Sequence, residues 1–454
     1  MNNLDFLNLE SLILEKLWGQ LTLLQTYDEK LTAIHSVLDD AADDHHKEKL
    51  REELTKIASV DEKAGFIKSF LSYGVIDDLL KVPEVEDIII NSLNPIYIHH
   101  SQKGLIETDR RFQTQKELDL FVRKLILFSG RSEVKKIMNL ELPNLQGRVN
   151  IVQSPFGPQI TITKAKVEPM SIIDLIKGGT LTYEVAGQLW LYLEGLSLRP
   201  ANIIIAGGPG TGKTTLLNAL FCFIPTSERM VVIEDTLELN TLLDDSCSRL
   251  ESDDEISIAQ LVKNSLRMRP DRIVVGEVRG EEARDMITAV NIGKYCLGTI
   301  HAATSRETIL RLQNEPMNVP EVLVNLVDVF IIMRRFHVQD RLYRVIDEVS
   351  ETGGMEQKTV LLSQIYKYDY EKKGIKTITT STIYRDRLAR MAGLTPRNII
   401  DEVYLRAVAL KLLAEKGVNN MKDVTQFCRL YNKNPQAAFE SMGVTREEIL
   451  KSKR

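Results

Sequence analysis

Leu12, Ile13, Leu17, Leu21, Leu24, Leu31, Ile34 and Leu38 recur at roughly helical spacing and predict amphipathic helices over the first forty residues. A charged helical stretch continues through residues 47–70. From Tyr73 the period shortens: residues 85–91 and 96–99 read as strands on either side of Asn94-Pro95, a turn signal. Residues 117–128 return to helical spacing and stop at Ser129-Gly130, and residues 147–151 and 159–162 look like further strands. Four apolar runs follow, at 202–206, 230–233, 272–275 and 296–300, and read as buried strands. Later strands are predicted at 341–346 and 364–368, with Gly353-Gly354 and Lys373-Gly374 as turns. Tyr366, Tyr368 and Tyr370 alternate there, a pattern that suits core or edge packing better than base stacking. Thr395-Pro396 then opens a helix as N-cap and first residue, and Gly417 closes it.

At 454 residues the chain exceeds one ordinary core. The pattern divides it into a helical N-terminal region (1–70), a small α/β domain (71–165), a linker (166–180), a core (181–350) and C-terminal strands with a helical module (351–454). Hydrophobic residues at 43% and charged residues at 27% describe a soluble globular protein. A net charge of -5 argues against general affinity for nucleic acid. Cys222, Cys247, Cys296 and Cys428 are widely separated, which predicts reduced thiols rather than a zinc site or disulfide framework. Asp39-Asp40, Asp43-Asp44 and His45-His46 read as a solvated turn between helices, not a metal site. The start of the chain lacks a basic n-region, and no apolar run approaches membrane-spanning length, so any membrane role is expected to be peripheral.

The chemistry centres on Gly207-Gly208-Pro209-Gly210-Thr211-Gly212-Lys213-Thr214, which fits G-x-x-x-x-G-K-[ST] between a predicted strand and a predicted helix. Backbone N–H groups along this loop and the positive end of the helix dipole form a phosphate cradle, which Thr215 extends. Lys213 adds a point charge, and the Thr214 hydroxyl is a magnesium ligand. Three later strands each run into a polar group: Glu234-Asp235-Thr236-Leu237-Glu238, then Glu277, then His301. Open parallel sheets place ligands at these carboxyl ends, so Glu238 is a candidate base, Glu277 a candidate magnesium ligand and His301 a candidate γ-phosphate donor.

Together the loop, the acidic box 234–238, residues 269–280 and Gly298-Thr299-Ile300-His301-Ala302 resemble the four motifs of secretion ATPases, which drive type II and type IV secretion and assemble type IV pili. Residues 311–320 are similar to the archaeal branch, whose members assemble pili or the archaellum, and residues 86–91 and 142–149 resemble the family's N-terminal domain. The resemblance implies an α/β protein with a RecA-like P-loop core, a smaller α/β N-terminal domain and helical additions at both ends. It further implies a hexameric ring, ATP and Mg2+ as cofactors, and a polytopic membrane platform protein as partner at the cytoplasmic face of the membrane. Glu238 is then the catalytic base, Glu277 the Walker B carboxylate and His301 the γ-phosphate sensor. Arg148 becomes the N-terminal-domain arginine that neutralises developing charge. Two positions depart from the family pattern: Gly293-Lys294 where Gly-His is common, and Ile162-Thr163-Lys164 where Ile-Arg-Lys is common. A lysine supplies a point charge but not a bidentate fork. Competing expectations are a RecA-like nucleic-acid translocase, which DNA or RNA would stimulate in a salt-dependent way, and a non-catalytic ATP-dependent scaffold.

Overall fold

The computed structural model describes the chain except residues 1–6, 21–26, 44–59, 102, 143–146, 165–168, 241–245, 254, 339–340, 358 and 454. Outside the described residues lie the predicted helical positions Leu21 and Leu24, the His45-His46 pair, much of the charged stretch, the Pro143–Gln146 part of the N-terminal motif and part of the acidic loop after Asn240. The chain forms two compact units, residues 1–167 and 168–454.

In the first unit, α1 (Leu7–Leu17), α2 (Tyr27–Asp43), α3 (Val60–Leu71), α4 (Asp77–Lys81) and α5 (Gln115–Phe128) accompany one sheet. Its strands are β1 (Val85–Asn91), β2 (Tyr97–His100), β3 (Gly104–Glu107), β4 (Ile137–Leu142), β5 (Gly147–Ser154) and β6 (Gly157–Lys164), in the order β3-β2-β1-β6-β5-β4. Every pairing is antiparallel. The register aligns Ile88 with Ile162, Ile162 with Val149, and Val149 with Leu140. All four are buried, so one apolar row crosses four strands. Each such side chain contributes about 1.5–3 kcal/mol of transfer free energy, and a one-residue slip would expose the whole row. On α1, Leu9, Ile13, Leu14 and Leu17 recur at three and four residues and are buried, as an amphipathic helix requires.

The second unit is built on a nine-stranded sheet in the order β15-β14-β13-β12-β7-β11-β10-β8-β9. Its strands are β7 (Ile203–Gly207), β8 (Met230–Glu234), β9 (Cys247–Glu251), β10 (Arg272–Val278), β11 (Tyr295–Ile300), β12 (Val329–Val338), β13 (Arg341–Glu356), β14 (Thr359–Asp369) and β15 (Gly374–Thr377). The six from β12 to β9 are parallel, and β13, β14 and β15 extend them antiparallel. Every residue of β7 and β8 is buried, as expected for parallel strands covered on both faces. Apolar cores flank the sheet on both sides. One holds α6 (Ile172–Lys177), α7 (Tyr183–Glu194) and α8 (Lys213–Leu220); the other holds α9 (Ile258–Ser265), α10 (Glu282–Asn291), α11 (Ser305–Gln313) and α12 (Glu321–Val324). The fold is thus α/β, a mainly parallel sheet carrying the phosphate loop between two helical layers, with a smaller α/β N-terminal unit and helical additions.

Three expectations about organisation change. The stretch 166–180 contains α6, opened by a Ser171/Asp174 capping box, and Ile172 and Ile173 are fully buried; the short apolar Ile-Ile pair makes it core rather than linker. No boundary falls at 350, because β13 runs through it. Gly353-Gly354 lies inside that strand, where the register shifts between Thr352 and Met355; Gly354, at φ 99°, forms an irregularity instead of a turn. The closing helices α13 (Ile383–Ala392), α14 (Pro396–Glu415), α15 (Met421–Lys433), α16 (Pro435–Ser441) and α17 (Arg446–Ser452) share the core of α7 and α8. Trp190 of α7 stacks on Phe223 with centroids 5.0 Å apart and meets Tyr431 of α15 at 4.8 Å. The alternating tyrosines also divide: Tyr366 is buried in that core, whereas Tyr368 and Tyr370 cluster with Phe336. All four cysteines are free thiols.

Candidate functional site

The apolar strand β7 ends at Gly207, and α8 begins at Lys213, so the glycine-rich loop bridges strand and helix. Gly207 has no room for a side chain: an added Cβ would lie 2.6 Å from Thr211 Oγ1 and 2.7 Å from the Met333 carbonyl oxygen. Gly210 and Gly212 adopt φ of 67° and 93°, which favour glycine. Thr211 Oγ donates to the Gly208 carbonyl at 2.8 Å and closes the loop.

Lys213 is buried, and its Nζ donates to the carbonyls of Gly207 and Gly208, each at 3.1 Å. Nζ also stands 3.4 Å from His301 Nδ1. Because Nδ1 faces a donor, it accepts, which leaves the proton on Nε2. Nε2 lies 2.8 Å from Glu277 Oε1. Arg279 grips the same carboxylate with Nε at 2.7 Å and Nη2 at 2.8 Å, and its Nη1 reaches Asp235 Oδ2 at 3.1 Å. Lys213, His301, Glu277, Arg279 and Asp235 therefore form one continuous polar chain at the carboxyl ends of β8, β10 and β11. Burial lowers the Lys213 pKa, opposed by the charge of Glu277. Burial also acts to raise that of Glu277, but Arg279, His301 and Lys213 outweigh it and hold the carboxyl below its ordinary range.

Glu238 is exposed just beyond β8, within the electrostatic reach of Lys213 and Arg279. Its backbone is fixed by Glu234: Oε1 accepts from the N–H groups of Glu238 and Leu239, both at 3.0 Å. Glu234 is buried, and burial raises its pKa to about 7 against these two donors and Arg249. The Arg249 guanidinium is 3.7 Å from Oε2, an ion pair too long for a hydrogen bond. Gly276 makes space for this carboxylate, since a Cβ there would fall 2.9 Å from Glu234 Cγ.

Two residues that sequence reasoning did not single out also reach the loop. Arg344 Nε donates to the Gly210 carbonyl at 3.0 Å, and Arg335 Nη1 would lie 2.8 Å from a Cβ on Gly210. These two arginines face one another across β12 and β13. No local motif marks them; only the antiparallel extension of the sheet brings them back to a loop more than 120 positions earlier in the chain. Arg279, by contrast, follows Glu277 by two residues, so strand alternation puts both on one face and was readable.

Arg148 belongs to the first unit, exposed on β5 opposite Thr163 of β6. Thr163 Oγ1 donates to Asp87 at 2.7 Å, and Lys164 Nζ donates to the Val82 carbonyl at 2.7 Å. Lys294 precedes β11, whereas His301 follows it. Six strand residues separate them, about 20 Å, so Lys294 does not belong to the polar chain.

The donor set fits a phosphate-bearing ligand. The loop offers backbone N–H groups, the ammonium of Lys213 bonds only to neutral acceptors, two carbonyls and His301 Nδ1, and Arg335 and Arg344 add two positive charges beside Gly210. Among the described residues no group of three or more acidic, histidine or cysteine side chains could hold a metal ion. A cation here would be held by Thr214, Glu277, water and the phosphates, as suits magnesium.

The family model for "Type II/IV secretion system protein" matches residues 133–399, more than half of the chain. An uncharacterized protein of Methanocaldococcus jannaschii is 29% identical over 368 residues, covering 77% of this chain and 66% of its own length. The conjugal transfer protein TrbB of Rhizobium radiobacter is 28% identical over 273 residues, 58% of this chain and 83% of that protein. Among solved structures, the ATPase DotB of Yersinia pseudotuberculosis matches with TM-score 0.47 at 16% identity, covering 80% of this chain and 94% of that one. With the phosphate loop, the acidic box and the two strand-end motifs assembled on one sheet, the chain belongs to the type II/IV secretion system protein family.

Proposed function

We propose that this chain is a Mg-ATP-hydrolysing hexameric motor that powers assembly of a type IV pilus-like surface filament or a secretion machine at the cytoplasmic membrane. The observation that supports it best is the chain Lys213–His301–Glu277–Arg279 beside the phosphate loop. ATP with magnesium supplies the phosphoanhydride bond whose hydrolysis drives the motion. Backbone groups from Gly207 through Gly208, Pro209, Gly210, Thr211 and Gly212 to Thr215, with Lys213, hold and orient the phosphates. Thr214 and Glu277 would hold the cation, and Glu238 would take the proton of the attacking water. His301 would serve as the γ-phosphate sensor by turning its Nε2–H from Glu277 toward the phosphate, and Arg148 is the candidate that would neutralise developing charge. Among the described residues no helix is long and apolar enough to cross a membrane; the partner in this reading is a polytopic platform protein.

The test is turnover by the purified chain with ATP and magnesium, alone and with the co-purifying membrane protein, together with deletion of the gene to see which filament or secreted product disappears. No hydrolysis under any of these conditions rejects the reading. Salt-dependent stimulation by DNA or RNA would move the assignment to a nucleic-acid translocase.

A further inference from the structure

Within the second unit, α7, β14, α14 and the segment after β15 enclose a cavity of about 470 Å3. None of its lining residues belongs to the phosphate loop or to the Lys213–His301–Glu277 chain. Ile365, Ile399, Val403 and Val408 give it apolar walls. Two polar side chains also line it although they are almost wholly buried, Gln188 at 5% exposure and Tyr366 at 4%. Among the described residues neither the Gln188 amide nor the Tyr366 hydroxyl has a side-chain hydrogen-bond partner, and neither is sealed from the cavity.

A polar group that opens on a cavity and has no partner in the chain is paired by water or by a ligand, so these two positions give an otherwise apolar cavity its points of polar recognition. The Gln188 amide presents a donor and an acceptor in one plane. Burial, and then the charges of Glu184 and Glu351, raise the Tyr366 pKa, so its hydroxyl keeps its proton and can donate. At the mouth, Arg385, Lys411 and Lys453 outnumber Glu184. Each cation also meets an acid outside the cavity, Asp386, Glu415 and Asp401 respectively, which holds it in place.

We infer that this cavity binds a purine nucleoside monophosphate at a second site, with the base edge on Gln188 and Tyr366 and the phosphate toward Arg385, Lys411 and Lys453. A planar edge with alternating donors and acceptors is what a glutamine amide pairs with. Apolar walls suit the faces of the base, and the volume lies within the range of small-molecule pockets, roughly 300–1,000 Å3.

The experiment titrates fluorescent AMP and GMP analogues, in separate arms, into the full chain whose phosphate loop is saturated with a non-hydrolysable Mg-ATP analogue. One of the two is expected to bind once per chain. Gln188→Leu should weaken it about tenfold and Tyr366→Phe about threefold. Neither change breaks a hydrogen bond within the chain, so Tm should hold or rise, the opposite of what a structural role predicts. Ile400→Trp, at a rim position 41% exposed, should block binding without disturbing the core. The inference is overturned if neither nucleotide binds at about 1 mM, if all three variants bind as the wild type does, or if crystals soaked with both nucleotides show only water in the cavity.

Discussion

His301 and Glu277 share a hydrogen bond of 2.8 Å between Nε2 and Oε1 that ties the end of β11 to the end of β10. Because His301 faces Lys213 through its other nitrogen, it relays the position of the lysine to the carboxylate. His301→Ala should lower kcat about a hundredfold while changing KM much less, since the donor acts where charge develops. Steady-state kinetics with ATP check this. Equal loss through KM alone would place His301 in ground-state binding.

Lys213→Ala should abolish ATP binding at concentrations that saturate the wild type, a loss of at least about a hundredfold. Glu238→Gln should bind normally and lose about a hundredfold to ten-thousandfold in turnover, because the amide cannot accept the water proton. Equilibrium binding and single-turnover hydrolysis, measured on the same preparations, separate the two outcomes.

Glu234 titrates near neutrality in the folded chain, at about 7, above the 4.5 of a free glutamate. The folded state therefore holds this proton more tightly, and the contribution is a stability present at low pH and lost as pH rises from about 4.5 through 7. The wild type should lose on the order of 3 kcal/mol from this group across that window. In Glu234→Gln the amide oxygen still accepts from Glu238 and Leu239, and that part of the pH dependence should vanish. Denaturant melts at a series of pH values measure it, and parallel curves for the two proteins would contradict the assignment.

Gly276→Ala would drive a methyl group to 2.9 Å from Glu234 Cγ. Relief requires Glu234 to move, which releases the backbone of Glu238. Stability should fall by about 1–3 kcal/mol, and kcat should fall with it even at temperatures where the variant is fully folded. Activity retained at the wild-type level would show that Glu234 does not position Glu238.

The loop and its strand-end partners were legible because each sits where an apolar run stops: Gly207 after Ile205-Ala206, Glu277 after Val274-Val275, His301 after Ile300. A parallel sheet turns that one-dimensional signal into a shared edge. Arg335 and Arg344 carried no such signal, since their place beside Gly210 depends on the β12–β13 register. Glu234 was visible as an acid but not as a buried one; only the absence of a Cβ at Gly276 makes room for it. The glycine pair at 353–354 is compatible with a turn or a strand irregularity, and long-range pairing with β14 selected the second. Ser171 and Asp174 spell a capping box, but the apolar run behind it is too short to distinguish α6 from a linker in the sequence alone.

Arg272 begins β10 with a fully buried guanidinium, bonded through Nε to Glu228 at 2.8 Å and through Nη2 to the Leu193 carbonyl at 2.8 Å. Arg272→Met should cost about 3–5 kcal/mol, because Glu228 and that carbonyl lose their partner. Lysine should recover only part of this, lacking the fork. Chemical denaturation of the three proteins gives the comparison.

The antiparallel extension has a mechanical consequence. Met333 of β12 pairs directly with Gly207, and strand pairing runs on from there through β13 and β14 to Thr377 of β15, with register shifts at Ile332/Met333, Val349/Ser350 and Thr352/Met355. The second unit is therefore built on one continuous sheet rather than on two separate ones. The closing helices α13–α17 pack in the same apolar core as α8, which starts at the phosphate loop, so a shift of the loop acts on a face they share.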